Sequence, residues 1–439
     1  MGTDASRKSD FRLNVTVPPV GRSPSAKDTD LVWIAGGLFA YEGLLRKELI
    51  SGDEPLELLV SRNSEFDTDL IEQIVSEILG FALQVTPKVK VTEIASGKKN
   101  LSQSIENFRF DSISLFSGGT DSLCGIAEAK ATGWSPLSLY VQHSAGTAAN
   151  VTEIENSVLE RLGVPLARSI VLTPGGWQLQ QLRGLLYTVN AGVCASRGEV
   201  ERVLISESGP TMLLPRFSPL DTVTLTTHPY ILRLAHDLLE KEYHRKFTVV
   251  APYAQMTKAE SIASCRVKDS IAATHSCANT LFARHPLATH CGSCFGCIVR
   301  RMSCLVASVG DAGYTFDPFG LSRGHAGRAW RRGQHLSDDA FAEVLAVLLF
   351  ARKVLEDKLP PSIQLHMDAN EVGDLFRRFS LDMLAGLYVI DRGRGLKNRT
   401  VETFYRECLQ DGVFTAGMAT SRIADVRSEK YRPDFSVSF

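Results

Sequence analysis

Nowhere in its 439 residues does this chain carry eighteen uninterrupted apolar residues, so no segment reads as a membrane-spanning helix. The longest candidate, Leu31 to Leu45, is broken by Gly36, Gly37, Glu42 and Gly43. The first residues hold charges but lack the apolar stretch of a secretory signal. Neither sign of charge is in excess: the formal net charge is −1, which gives no global drive toward nucleic acid or an acidic membrane. Basic residues gather only locally, in Arg323–Arg332 and Arg392–Arg399. Such runs are by default solvated faces, and the first offers a place for an acidic partner. No Gly-x-x-x-x-Gly-Lys-Ser/Thr run occurs, which removes the Walker A class of nucleotide site. With no export signal, the nine cysteines point to metal or catalytic use rather than to disulfides. A cytoplasmic location is the expectation.

What is present fits a globular protein of several domains. Apolar residues make up 44% and charged residues 22%, and a chain this long is expected to divide into two to four domains. Residues 1–28 are rich in Ser, Lys, Asp, Pro and Gly without period and read as a flexible leader. Residues 29–107 read as an N-terminal α+β module, with strands at Leu31–Ile34, Leu56–Val60 and Val89–Ile94 and a helix over Leu70–Leu83. From 108 to 275 the pattern alternates. Strands are expected at Ile113–Phe116, Leu137–Gln142, Ser169–Leu172, Val203–Ser206 and Phe247–Val250. Helices are expected between them, at Leu123–Lys130, Val151–Leu162, Leu179–Ala195 and Tyr230–Tyr243. That order predicts an α/β fold, a parallel doubly wound sheet with helices on both faces. Residues 276–310 hold a cysteine-rich element, and 311–439 read as a C-terminal helical region, with helices at Ala340–Leu355, Val372–Val389 and Asn398–Leu409.

The chemistry concentrates at Ser117-Gly118-Gly119-Thr120-Asp121-Ser122, between the first strand of the alternating region and its helix. Two glycines allow a tight turn and close backbone approach. Ser117 and Ser122 add hydroxyls, and the free N–H groups at the following helix start favour an anion. Asp121 would repel a bare phosphate, which makes magnesium the natural companion. The bland reading is a Gly-Gly turn ending in a helix cap. Ligands bind parallel sheets at the carboxyl ends of the strands, and the loop sits at such an end. Thr257-Lys258-Ala259-Glu260 fits a capping box with a lysine in the first turn, where it opposes the helix dipole unless an anion is near. Glu207 and Arg216, in the loop after a strand, are candidate substrate contacts by position alone. His228, in Thr227-His228-Pro229, is a candidate as well, against the plainer role of a structural histidine at a helix start.

Cys277 precedes Cys291, Cys294 and Cys297 in His290-Cys291-Gly292-Ser293-Cys294-Phe295-Gly296-Cys297. Two successive C-x-x-C steps put three thiolates on one turn, and Cys277 is the nearest cysteine upstream for a fourth. The set suits a closed, structural zinc site, with an iron–sulfur cluster as the rival. His275, His285 and His290 are substitutes for the fourth ligand. Cys124, Cys194, Cys265, Cys304 and Cys408 are scattered and read as core thiols.

In combination these motifs resemble the QueC-like PP-loop ATP pyrophosphatases, the 7-cyano-7-deazaguanine synthase family. The resemblance covers about 108–305, and Arg300, at the end of the cysteine run, joins the candidate substrate contacts. With flanking regions at both ends, the chain is most similar to the QatC type, the QueC-like component of a bacterial anti-phage defence system. The spacing from Cys277 to Cys291 is longer than the compact loop of that family. The resemblance implies an adenine nucleotide alpha hydrolase-like sheet, ATP, Mg2+ and Zn2+ as cofactors, and adenylation of 7-carboxy-7-deazaguanine or a related deazapurine. Pyrophosphate is released and the acyl group passes to ammonia or an amine, which a protein partner of the same defence system would carry. Asp121 and Lys258 would be catalytic. Replacing either by alanine is expected to abolish pyrophosphate release with the fold intact. Two other classes remain: a PP-loop RNA-modifying enzyme of thiolation or lysidine type, disfavoured by the absence of overall positive charge, and a nucleotide-binding scaffold subunit.

Overall fold

The alternating apolar runs do form one sheet. The computed structural model describes residues 14–15, 20–95, 109–142, 145–172, 181–213, 225, 227–277, 290–314, 316–319, 336–358 and 368–439. Its strands are β1 (Asn14–Val15), β2 (Leu56–Ser61), β3 (Val89–Ile94), β4 (Ser112–Leu115), β5 (Pro136–Gln142), β6 (Leu166–Leu172), β7 (Arg202–Leu204) and β8 (Thr248–Val250). Six form a sheet in the order β1-β6-β5-β4-β7-β8. Five of these are mutually parallel, and β1 pairs antiparallel with β6. A separate parallel pair joins β2 to β3, with Leu56 opposite Val89.

The helices are α1 (Ala26–Arg46), α2 (Thr68–Leu83), α3 (Thr120–Ala131), α4 (Ala145–Ile154), α5 (Glu160–Leu162), α6 (Arg183–Arg197), α7 (Gly209–Leu213), α8 (Pro229–Tyr243), α9 (Lys258–Ser264), α10 (Phe295–Ala307), α11 (Leu336–Leu355), α12 (Ala369–Arg394), α13 (Arg399–Gln410) and α14 (Ala416–Arg427). The expected helix Val151–Leu162 is really α4 and α5 joined by a π-turn over Glu155–Leu159. Side chains of β5 alternate between two cores, as the period of a strand requires. Leu137, Leu139 and Val141 pack with residues of α1, α6 and α8, while Tyr140 packs with Leu123 and Ile126 of α3 and Val151 of α4.

Three expectations need correction. Leu31–Ile34 is not a strand but part of α1. Ser25 and Asp28 form a reciprocal capping box that fixes the helix start. Because α1 is buried almost all round, its sequence shows no helical stripe and reads as a short apolar run. The supposed leader 1–28 is likewise not free throughout: Asn14–Val15 pairs with β6, Val20 is buried, and Arg22 pairs with Asp28 at 2.7 Å. Nor is 29–107 a separate module, since α1, α2, β2 and β3 share one core with β4, β5, α6 and α8.

The C-terminal helices are a wall rather than an appendage. Residues of α11, α12, α13 and α14 share a second core with α9 and α10. A buried ion network ties that wall to α9. Arg422 of α14 donates from Nε to Asp382 at 2.7 Å and from Nη2 to Glu260 at 2.7 Å. Glu260 also accepts from Arg378 and from the Thr257 N–H. Arg422→Met is expected to lower unfolding stability by about 3–5 kcal/mol, because it leaves Asp382 as an uncompensated buried charge. Glu260 would keep Arg378. A denaturation midpoint unchanged from the parent protein would refute this. The chain end, finally, lies along the outer edge of β8: Ala251 N–H donates to Val437 O and Phe439 N–H to Val249 O, each at 3.0 Å. That covers an edge otherwise open to pairing.

Candidate functional site

From β4 the chain moves outward to β5 and β6 on one side, then returns to β7 and β8 on the other. Strand order therefore reverses at β4, and such a reversal leaves a crevice at the carboxyl ends of the strands. The loop Ser117–Gly119 leaves β4 at that point. Gly118 takes φ +76°, and a Cβ there would lie 3.0 Å from Val151 Cγ2, so both conformation and space call for glycine. Ser117 Oγ accepts from Gly119 N–H at 3.2 Å, and Ser122 Oγ donates to Gly119 O at 3.0 Å. The two hydroxyls lie 3.3 Å apart. They shape the loop from within. Gly119 is the N-cap of α3 and makes no side-chain cap hydrogen bond, whereas α1, α2 and α9 are capped by Ser25, Asp67 and Thr257. The start of α3 thus presents main-chain N–H groups and its positive end to the crevice.

Asp121, in the first turn of α3, meets Lys258, in the first turn of α9. Lys258 Nζ donates to Asp121 Oδ2 at 2.6 Å, and both side chains are buried. Ser208 N–H, just beyond β7, adds a contact to Oδ2 at 3.3 Å, and Ser261 Oγ one to Oδ1 at 3.4 Å. Three loops at the carboxyl edge therefore converge on one carboxylate. Burial alone would raise the Asp121 pKa, but Lys258, a hydrogen bond from Glu207 and the Ser208 N–H together bring it below the usual value. Burial opposes the charge on Lys258, and Asp121 with Glu207 outweighs it, leaving the lysine above its ordinary value. Glu207 moves the other way. Burial and then the negative charge of Asp121 push it well up, which favours a protonated Glu207 hydrogen-bonding to the Asp121 carboxylate.

A pH dependence follows from Glu207. An unfolded glutamate titrates near 4.3. Above that value the folded chain retains a proton that the unfolded chain has lost, so stability falls as pH rises toward the raised folded pKa. Glu207→Gln keeps the hydrogen-bond donor and removes the titration. The variant is expected to match the parent near pH 4 and to become the more stable of the two as pH rises, by thermal unfolding across pH 4–9. A constant difference across that range would exclude a proton on Glu207.

Other expected site residues fall elsewhere. Arg300 is wholly buried and does not face the crevice. Its Nε reaches Asp311 at 2.7 Å, Nη1 reaches Thr274 O and Oγ1 at 2.8 Å each, and Nη2 reaches Ile271 O at 2.6 Å. Its donors are spent inside the protein, so it is a clamp and not a substrate contact. His228 caps α8, accepting from Tyr230 N–H at 3.2 Å, and lies against Phe81 with ring centroids 4.9 Å apart; the structural role holds. Thr120 turns its hydroxyl away from the crevice, to Thr274 Oγ1 at 2.9 Å. Arg216, His285 and the basic run Arg323–Arg332 lie outside the described residues.

The cysteines gather as expected. Cys277, Cys291, Cys294 and Cys297 place their sulfurs within 4.8 Å of one another, the one cluster of potential metal ligands among the described residues. Cys291 and Cys297 Sγ are 3.8 Å apart, and Cys294 and Cys277 Sγ 4.0 Å. Tetrahedral zinc with Zn–S near 2.3 Å requires sulfur separations of about 3.8 Å, so the set can hold a metal ion such as zinc. Gly292 takes φ +88°, and a Cβ there would strike Phe316 O at 1.9 Å; one at Gly296 would strike Ser276 O at 2.3 Å. His290 is not needed as fourth ligand: its Nε2 accepts from Ser276 N–H at 3.1 Å, and the four sulfurs already form the cluster. The long Cys277–Cys291 spacing needs no histidine to complete the set.

Sequence reasoning missed Ser208 and Ser261 as partners of Asp121, and missed the segment Thr274–Ser276 under the loop. Their only signal was position: one after a strand end, one a turn beyond Lys258, one just before Cys277. No helix among the described residues is long and apolar enough to cross a membrane. No protein-family model matches the chain, and no curated protein matches it.

Proposed function

We propose that the crevice at β4 binds the pyrophosphate end of ATP and that the chain activates a carboxylate by adenylation, in the manner of the QueC-like PP-loop enzymes it resembles. The observation that carries this reading is the meeting of Asp121 and Lys258, 137 residues apart in sequence, at 2.6 Å beside a helix start that no side chain caps. A buried cation there has one carboxylate partner and lies beside main-chain donors, which is the charge pattern a leaving pyrophosphate needs. Asp121 would be the carboxylate to position magnesium; when bound with ATP the ion would supply further neutralisation of phosphate charge.

In this reading the substrate carboxylate oxygen attacks the α-phosphorus, and the bond from that phosphorus to the bridging oxygen breaks. The electron pair leaves with pyrophosphate. N–H groups of Gly118, Thr120 and Asp121 hold the departing oxygens, and Lys258 offsets their growing charge. Asp121 orients Lys258 and Ser208. No protein nucleophile takes part. The nitrogen of ammonia, or of an amine carried by a protein partner, then attacks the acyl carbon, the bond from that carbon to the phosphate oxygen breaks, and AMP leaves as the nitrogen gives up a proton; 7-carboxy-7-deazaguanine or a related deazapurine is the acid and anti-phage defence the setting. The test is ATP–pyrophosphate exchange by the purified chain with 7-carboxy-7-deazaguanine. Exchange that depends on this acid supports the reading; its absence with zinc-replete protein refutes it.

A further inference from the structure

The four-cysteine element and the phosphate-type loop are not independent sites. One short segment, Thr274–Cys277, lies between them and is bonded to both. On the loop side, His275 N–H donates to Gly118 O at 2.8 Å, and Thr120 Oγ1 lies 2.9 Å from Thr274 Oγ1 and 3.3 Å from Ser276 Oγ. On the metal side the segment ends in the ligand Cys277, and Ser276 N–H donates to His290, the neighbour of Cys291. The start of α10 presses on it too, since Gly296 leaves no room for a side chain against Ser276 O. Arg300 closes the circuit. It stands one helical turn after the ligand Cys297 and reaches Thr274 O at 2.8 Å and Thr120 Oγ1 at 3.2 Å.

We propose that the metal centre is a positioning device for the Gly118–Thr120 loop, acting through Thr274–Ser276 and Arg300, so that metal loading sets how well this loop holds an anion. Metal draws Cys277 and the Cys291–Cys297 turn together. That fixes both ends of a bracket, the segment Thr274–Ser276 on one side and the first turns of α10 on the other. The bracket in turn fixes the carbonyl of Gly118 and the hydroxyl of Thr120. The peptide unit that carries Gly118 O also carries Gly119 N–H, which donates to Ser117 Oγ at 3.2 Å, and the main-chain N–H groups at the start of α3 follow it directly, so the set of the whole loop depends on the bracket. Without metal, four thiol groups crowded within 4.8 Å of one another have nothing to hold them, and Cys277 no longer anchors the segment.

The anion half of this proposal rests on the reading given under Proposed function; the mechanical half does not. The experiment uses the full chain, with zinc bound or stripped by chelation, and follows amide hydrogen exchange by mass spectrometry. Stripping is expected to speed exchange in peptides covering 117–122 by about tenfold, the loss of one or two hydrogen bonds' worth of protection, with β5 and β6 peptides unchanged. Unaltered exchange at 117–122 in zinc-free protein overturns the coupling. Where stripping loosens β5 and β6 as well, Thr274→Val with Ser276→Ala decides, because all four cysteines remain. At full zinc content this variant is expected to show the same faster exchange at 117–122 and about tenfold weaker binding of inorganic pyrophosphate. Unchanged exchange in it overturns the coupling. Should exchange respond while the zinc-bound parent chain fails to bind pyrophosphate at all, the coupling stands and the phosphate reading falls.

Discussion

Lys258→Met is expected to lower ATP–pyrophosphate exchange by about 10³-fold and, at the same time, to reduce folding stability by about 3–5 kcal/mol. The first figure is that for removing one preorganised electrostatic group aimed at developing charge. The second comes from the fold. Lys258 and Asp121 are both buried and 2.6 Å apart, so removing the cation strands a carboxylate among Glu207, Ser208 and Ser261. To the expectation from sequence that the alanine variants keep their fold, the buried pair adds a cost in stability. Breaking one side of a buried pair is costly because the other charge stays behind. Asp121 then has reason to take up a proton, and the remaining cost shifts with pH: the depressed Asp121 pKa of the parent contributes stability above the unfolded value that is lost as pH falls through the folded one. In the Lys258→Met variant that acid-side loss should shrink.

Activity and folding separate in the double variant Lys258→Met with Asp121→Asn. Two neutral side chains of similar shape leave no stranded charge, so stability is expected to return to within about 1–2 kcal/mol of the parent. Exchange activity should remain as low as in the single variant. Exchange that recovers with stability would show the lysine to be a folding element only.

The parts of this molecule that the sequence makes legible are those where one local rule decides. Leu137, Leu139 and Val141 alternate with residues of opposite orientation, and the flanking helices have their own stripes, so the parallel sheet follows. Gly118 and Gly119 stand at a strand end, and the turn follows. The two C-x-x-C steps place three thiolates, and the cluster follows. Less legible are the parts where partners lie far apart in sequence. Leu31–Ile34 looks like a strand because α1 is buried on nearly every side and so lacks a polar face. Arg300 carries no mark distinguishing a ligand contact from a clamp; only its full burial and its bonds to Thr274 and Ile271 show which it is. Glu207 was singled out by position alone, and its protonated state depends on Asp121, 86 residues earlier by number. Arg422 and Glu260 are separated by 162 residues, and nothing local to either predicts their pairing. That 29–107 shares its core with the sheet was hidden for the same reason. Core membership is settled by packing between distant segments, and α1 and α14 look self-contained until their partners are seen.

Cys297→Ser is expected to drop bound zinc from about one ion per chain toward none and to destabilise the cysteine element by on the order of 10 kcal/mol, the range for structural zinc in small domains. All four sulfurs lie within 4.8 Å of one another, and the 3.8 and 4.0 Å pairs match the spacing of ligands on a single tetrahedral ion. In a [4Fe–4S] cluster each thiolate would bind a different iron, and the four would stand farther apart. Serine at 297 leaves three thiolates and a hydroxyl that does not ionise near neutral pH. The effect on the whole chain should be smaller than on the element. Ile298, Val299, Met302 and Val306 of α10 belong to the large core shared with α9 and α12, so the distal part of the helix has support of its own. The expected outcome is loss of metal and of order around residues 277 and 290–297, with a lowered first unfolding transition. Cys304, two turns further along α10, is the control. It is buried, and burial pushes its thiol up to about 12, which keeps it protonated and poorly suited to metal. Cys304→Ala should retain full zinc and lose only about 1–2 kcal/mol through the small cavity left behind. Metal analysis on both variants decides: equal zinc in the two would remove the four-cysteine assignment, and iron with sulfide in place of zinc would replace the single ion by a cluster.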